Sequence, residues 1–225
     1  MKQMMRTLVC SLFLILMWAP LVHGQDLSKY RNFRFGMSYA ELSKQVGPQL
    51  LHTKLIHQRP AVIQEVTWWP RDSSGSALPA EPVWQILFTF YDDQLYRILV
   101  TYDHQATRGL SDEDMVEAIS VRYGTATRPA SSISFPTNEL YRSTESVIAR
   151  WEDSQYSVNL FRSSFLNAYG VVMFSKRLDG QAQAAQAESL NVVGQEDLQI
   201  EIERQRKETD KLAVTREKNK RVFRP

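Results

Sequence analysis

Val83-Trp-Gln-Ile-Leu-Phe-Thr-Phe-Tyr-Asp-Asp-Gln-Leu-Tyr-Arg-Ile-Leu-Val-Thr-Tyr102 is the stretch that decides the fold. Val83–Tyr91 and Leu95–Asp103 are rich in β-branched and aromatic residues, and the acidic pair between them suits a turn. Side chains alternate across a strand, so register decides which of them share a face. A three-residue loop at Asp92-Asp93-Gln94 sets Phe90 against Tyr96, Phe88 against Ile98, Ile86 against Val100 and Trp84 against Tyr102. A two-residue loop sets Phe88 against Arg97 instead. The first register is expected, because it gathers Trp84, Phe88, Phe90, Tyr96 and Tyr102 on one core face. The other face then reads Gln85, Leu87, Thr89 and Tyr91 against Leu95, Arg97, Leu99 and Thr101.

Working outward, a helix precedes the hairpin. Ser38 and Glu41 have capping-box spacing, Leu42 and Val46 fall on one side, and Gly47-Pro48 stops the helix. A second helix starts at Ser111, with Asp112, Glu113 and Asp114 in the turn where the helix dipole favours anions. Met115, Ile119 and Tyr123 form its apolar stripe and Gly124 ends it. Val62–Trp69 reads as a strand. Val147–Trp151 and Tyr156–Leu160 read as a second hairpin centred on Asp153-Ser154, pairing Trp151 with Tyr156, and Tyr169–Ser175 reads as a further strand. The expected class is α+β: two helix-plus-antiparallel-strand units, about 30–105 and 106–180, with the helices on one face of the sheet. Their spacing fits a tandem repeat with a loop insertion at Pro70–Pro82, or two unrelated segments.

The ends differ from this middle. Lys2 and Arg6 precede an apolar run from Leu8 to Ala19, then Pro20 and Val22-His23-Gly24. This is the pattern of a signal peptide over 1–24, with an uncleaved anchor as the alternative. Removing Lys2 and Arg6 leaves the chain formally neutral, and removing Cys10 leaves it without a thiol. Export to a periplasm or to the outside is expected. The folded domain is expected over 25–180. Residues 181–225 read as a polar tail, helical or disordered, with a thin stripe at Leu198, Ile202 and Leu212 and a basic end from Arg216. The low net charge offers no footprint for nucleic acid.

Gly36-Met37-Ser38-x-x-Glu41-Leu42, with Val46-Gly47 after it, resembles the opening helix of the BamE (SmpA/OmlA) envelope domains, whose layered α/β shape is similar to the beta-lactamase-inhibitor-protein fold. The Phe88–Ile98 hairpin is similar to that family's Phe-x-Asp-Gly-x-Val hairpin. The likeness covers 35–103 best. Pro48 stands one residue earlier than the family's proline, and the family's lipidated cysteine is missing. The resemblance implies a noncatalytic protein-binding role.

The residues themselves offer little catalysis. His52, His57 and His104 lack metal-ligand spacing, and nucleophile-elbow, phosphate-loop and zinc-protease motifs do not occur. No metal and no cofactor is expected. The hairpin face of Gln85, Leu87, Thr89, Tyr91, Arg97, Leu99 and Thr101 has the composition of a protein-binding surface if it meets water. It also fits an ordinary solvated sheet face. Trp68 and Trp69 form a candidate rim. The expected function is an exported, noncatalytic interaction module for an envelope or secreted protein. The alternatives are a hydrolase using His57 or His104, and a scaffold whose basic tail touches a membrane.

Overall fold

A computed structural model describes residues 25–70, 81–135 and 144–222, giving the backbone alone for 190–198. The expected signal segment, most of the Pro70–Pro82 insertion and the last three residues lie outside the described residues. The fold is α+β. A small hairpin, β1 (Lys29–Tyr30) and β2 (Phe33–Arg34), leads into α1 (Tyr39–Val46). Four strands follow: β3 (Leu51–His57), β4 (Ile63–Trp68), β5 (Val83–Tyr91) and β6 (Gln94–Tyr102). Then come α2 (Asp112–Tyr123) and four more strands, β7 (Ser132–Ser134), β8 (Thr144–Glu152), β9 (Tyr156–Arg162) and β10 (Tyr169–Ser175). The chain continues as the long helix α3 (Lys176–Val222).

The eight later strands form one sheet in the order β3-β4-β5-β6-β10-β9-β8-β7. Each half is a helix followed by a meander, and the halves join at their last strands. Every pairing is antiparallel.

Both short helices start as their sequences dictate. Ser38 accepts from the Glu41 N–H while the Glu41 carboxylate accepts from the Ser38 N–H at 2.7 Å. Ser111 and Asp114 repeat this reciprocal cap. Gly47 (φ 97°) and Gly124 (φ 76°) take the positive φ that ends each helix.

The expected hairpin register holds only at its centre, with a different turn: Phe90 faces Leu95 and not Tyr96, Tyr102 faces Val83 and not Trp84, and Leu95 joins the main core. Asp92 and Asp93 form a two-residue loop with φ of 45° and 60°, and Tyr91 faces Gln94. A bulge at Tyr96 then restores Phe88 opposite Ile98 and Ile86 opposite Val100. Tyr96 therefore leaves the expected core face and packs with Ile63 and Leu178 on the other side. In the second hairpin the pairing is shifted by two: Trp151 faces Val158, and Ala149 faces Leu160. An even shift preserves the faces, so the core assignment survives.

One face carries the main core. Leu42 of α1 and Met115, Ile119 and Tyr123 of α2 pack with Phe88, Ile98, Trp151 and Met173. The Trp151 Nε1–H donates to the Gly124 carbonyl at 2.8 Å, and the Tyr169 hydroxyl donates to Asp112 at 2.7 Å. These bonds pin both ends of α2 to the second meander. The turn acids pin the first: Asp93 accepts from the Tyr39 N–H and Asp92 from the Val62 N–H, each at 2.9 Å. The Gly36 N–H donates to the Leu95 carbonyl at 2.8 Å. The Gly36–Leu42 segment and the β5–β6 hairpin thus touch each other.

The domain does not end at 180. α3 begins at Lys176, directly after β10, and Leu178, Ala182, Ala185 and Ser189 are buried. Leu178 and Ala182 pack on Ile63 and Tyr96, on the face opposite α1 and α2. An Ala/Gln-rich run looks like a tail by composition, yet its alanines recur at helical spacing and fill the gap under the helix.

Candidate functional site

Register places two rows of side chains on the face beneath α3. One runs Glu65, Thr89, Arg97, Phe174 and Ser157. The next runs Thr67, Leu87, Leu99, Val172, Asn159 and Arg150. Between these rows and α3 lies a cavity of about 410 Å³. Thr89, Arg97, Asn159 and Arg150 line its floor, and Ser132 and Ser134 of β7 line one side. Asp179, Gln183 and Gln186 of α3 line another. The edge strand and the helix share one cavity, so the sheet curls toward α3. Ile63, Ile133 and Phe174 supply apolar wall.

The charges in this space are unequal. Arg97 donates to Asp179 at 2.6 Å, with side chains 20% and 8% exposed. The Gln183 amide donates to the other Asp179 oxygen at 2.6 Å. That carboxylate is therefore occupied twice. The Arg97 Nε–H is buried with no partner among the described residues. Arg150 donates from Nε to Asn159 at 2.6 Å and from Nη2 to Ser131 at 2.9 Å. Both of its acceptors are neutral. Among the described residues the lining thus holds two guanidiniums against one carboxylate. A half-buried guanidinium held by neutral acceptors is oriented, keeps free N–H groups and attracts anions more strongly than one in open water.

The expected binding face is corrected in this light. Gln85, Leu87, Thr89, Leu99 and Thr101 are buried, and Tyr91 is half-buried beside Ile63 and Tyr96. Leu87 and Leu99 form a second apolar cluster with Phe135, Phe161 and Val172. The face does not meet water as a flat surface, because α3 and the β7 segment lie over it. Of the expected residues, Thr89 and Arg97 line the cavity and the others do not. Trp68 is not a rim: it packs edge-on against Phe33 at 5.7 Å and joins the main core. Trp69 is half-buried, edge-on to His52 at 5.1 Å.

Sequence reasoning missed Arg150, Asn159 and Asp179. Arg150 lies between Ala149 and Trp151, and Asn159 between Val158 and Leu160, so each reads as a solvent position between core residues. Only the cover supplied by α3 makes them a site.

Neither a family model, nor a curated protein, nor a solved structure matches the chain. The site must therefore be read from its own geometry.

The histidines are separate. His104 is exposed on the loop after β6. His57 Nδ1 lies 3.4 Å from the Ser189 hydroxyl, a contact made by α3. That hydroxyl donates to the Gln186 carbonyl at 2.8 Å, so its proton points away from the imidazole. Among the described residues no group of three or more metal-ligating side chains occurs. No helix among them is long and apolar enough to cross a membrane.

Proposed function

We propose that this protein is an exported, noncatalytic interaction module of the cell envelope. It holds an acidic segment of another exported protein in the cavity between the sheet and α3. The observation that carries this reading is the Arg97–Arg150 floor, which among the described residues has one carboxylate, already shared by Arg97 and Gln183. Aspartate or glutamate side chains, or a chain terminus, match a guanidinium fork by bidentate hydrogen bonds. Thr89, Asn159, Ser132 and Ser134 offer further polar contacts along the same floor. A duplicated helix-plus-meander unit belongs to this reading, as does the likeness to BamE-type domains. In it the sheet is the frame and the space under the last helix is the site.

The test is capture from the host's envelope extract by the immobilised full chain, beside an Arg150→Gln variant of equal melting temperature. Captured protein should elute with a hexaglutamate peptide and not with hexalysine, and Arg150→Gln should hold at least fivefold less. Equal capture by both baits would remove the cavity from the mechanism.

A hydrolase is the second reading, and the Ser189–His57 contact is its support. It requires the Ser189 proton to leave the Gln186 carbonyl. Loss of an ester- or amide-cleaving activity on both Ser189→Ala and His57→Ala would establish it.

A further inference from the structure

β7 borders the cavity in a way its side chains do not explain. Successive residues of a strand point to opposite faces, yet Ser132, Ile133 and Ser134 all line the space. Ile133 lies on the face beneath α3, packed against the cluster of Leu87, Leu99 and Val172. Ser134 points the other way, where its hydroxyl meets that of Thr144 at 3.2 Å. Three residues in succession line one cavity when it runs along the edge of their strand.

Register decides which backbone groups stand on that edge. Ser132 pairs with Ser146, Ile133 with Glu145 and Ser134 with Thr144. The Val147 N–H donates to the Ser131 carbonyl at 2.9 Å. Hydrogen-bonded and non-hydrogen-bonded pairs alternate along an antiparallel ladder, so Ser131 and Ile133 bond to β8. The N–H and C=O groups of Ser132 and Ser134 therefore point away from β8. Among the described residues no strand lies on that side, and both serines are exposed. β7 thus offers two donors and two acceptors to the space between the sheet and α3.

Charge stands beside this edge. Arg150 donates to the Ser131 hydroxyl at 2.9 Å, which sets its guanidinium at the start of β7. The opposite edge of the sheet differs. β3 carries Lys54 and a register shift between Leu55 and His57, two devices that keep an edge from pairing, and it does not border this cavity.

We propose that the acidic segment is held as a ninth strand of the sheet, laid along β7 on the side facing α3. This mode of binding rests on the cavity being the site of that segment. An added strand takes affinity from main-chain hydrogen bonds and specificity from alternate side chains. Its residue opposite Ile133 shares the face of Ile133 and Arg150, so acidic residues are recognised at every second position. β7 has three residues, about 10 Å, so the recognised stretch is short. The partner chemistry is an extended segment in which acidic residues alternate with others.

The probe is a hexapeptide alternating threonine and glutamate, titrated by calorimetry into the full chain. Proline at 132 and 134 removes the two outward N–H groups and leaves the bonds to β8 in place. Ser132→Pro/Ser134→Pro should therefore keep the melting temperature and bind roughly tenfold more weakly. Ser132→Ala/Ser134→Ala keeps the backbone donors and should bind like the unaltered chain. The peptide supplies a second measurement that needs no variant. With every backbone nitrogen methylated it should not bind, and with every second nitrogen methylated it should bind as before, since one edge stays clear. Arg150→Gln separates this mode from the cavity itself. Weaker binding by Arg150→Gln, with the proline variant unaffected or full methylation tolerated, would overturn strand addition and leave the cavity reading standing. Absence of binding to the unaltered chain would overturn both.

Discussion

The two faces of the sheet solve the same problem with different chemistry. The face under α1 and α2 is aromatic and aliphatic, and its polar groups serve as anchors, such as the Trp151 indole on Gly124. The face under α3 buries Gln85, Thr89, Thr101, Ser157 and Asn159 and half-buries two arginines. The first face contributes stability through apolar area. The second gives part of that up, since each buried polar group must be matched by a partner. An apolar face in its place would be more stable, so the polar lining sets this side of the sheet apart from the other.

This contrast can be broken by measurement, beginning with the largest effect. Burial pushes the Tyr30 and Tyr96 hydroxyls up to about 12. Burial, with the Asp112 carboxylate beside it, does the same for Tyr169. Burial also raises Tyr102. Each pKa is raised in the fold, so the stability involved is complete below about pH 10 and is lost as pH climbs toward 12. Full alkaline unfolding is expected in that window, with tyrosinate absorbance rising in step with loss of near-ultraviolet circular dichroism. Tyr30→Phe with Tyr102→Phe, on the apolar face, should raise the midpoint more than Tyr96→Phe on the other.

Next come truncations. Trp151→Ala should cost about 3–5 kcal/mol in denaturant unfolding, and Leu99→Ala about 2–3 kcal/mol. Equal costs would erase the distinction between the faces. Gly170 is more specific: a Cβ there would lie 2.4 Å from the Phe161 ring, so Gly170→Ala should cost about 1–3 kcal/mol, relieved in part by Phe161→Leu. Asp179→Asn should cost about 1–2 kcal/mol and, by freeing Arg97, raise the affinity for hexaglutamate several-fold in a titration. Weaker binding would mean that Asp179 itself contacts the ligand. Ser111→Ala is the smallest change, about 1 kcal/mol from loss of a helix cap, and should leave binding untouched.

Legibility in the sequence followed the same divide. Caps, alternation and helix stops are local, and they placed α1, α2, β5 and β10 closely. The hairpin register survived a wrong loop length because only one register puts Phe88, Ile86 and Ile98 together, and a bulge at Tyr96 was the means. β3 gave no signal, since Leu51–His57 is an exposed edge with no buried face to enforce alternation. The site was harder. Alternation alone places Thr89 and Arg97 on one candidate face, but the burial of that face depends on Leu178, Ala182 and Ala185. Their four-and-three spacing was readable, yet it lies in a run whose composition suggests a tail. Arg150 and Asp179 share a cavity because strands and helix meet there, which is a property of tertiary packing.

The centre of the sheet has a temporal side. β6 pairs only with β5 until β10 arrives, and β10 is the last strand of the chain. For a chain delivered N-terminus first, from a ribosome or through a membrane pore, the first meander is complete by Tyr102. It then waits with the outer edge of Arg97–Thr101, the side away from β5, unpaired until Gly170–Phe174 has emerged. An open, apolar strand edge invites pairing with whatever passes. Between those two moments the first meander presents that edge to any strand it meets. The seam that unites the halves is also the last stitch.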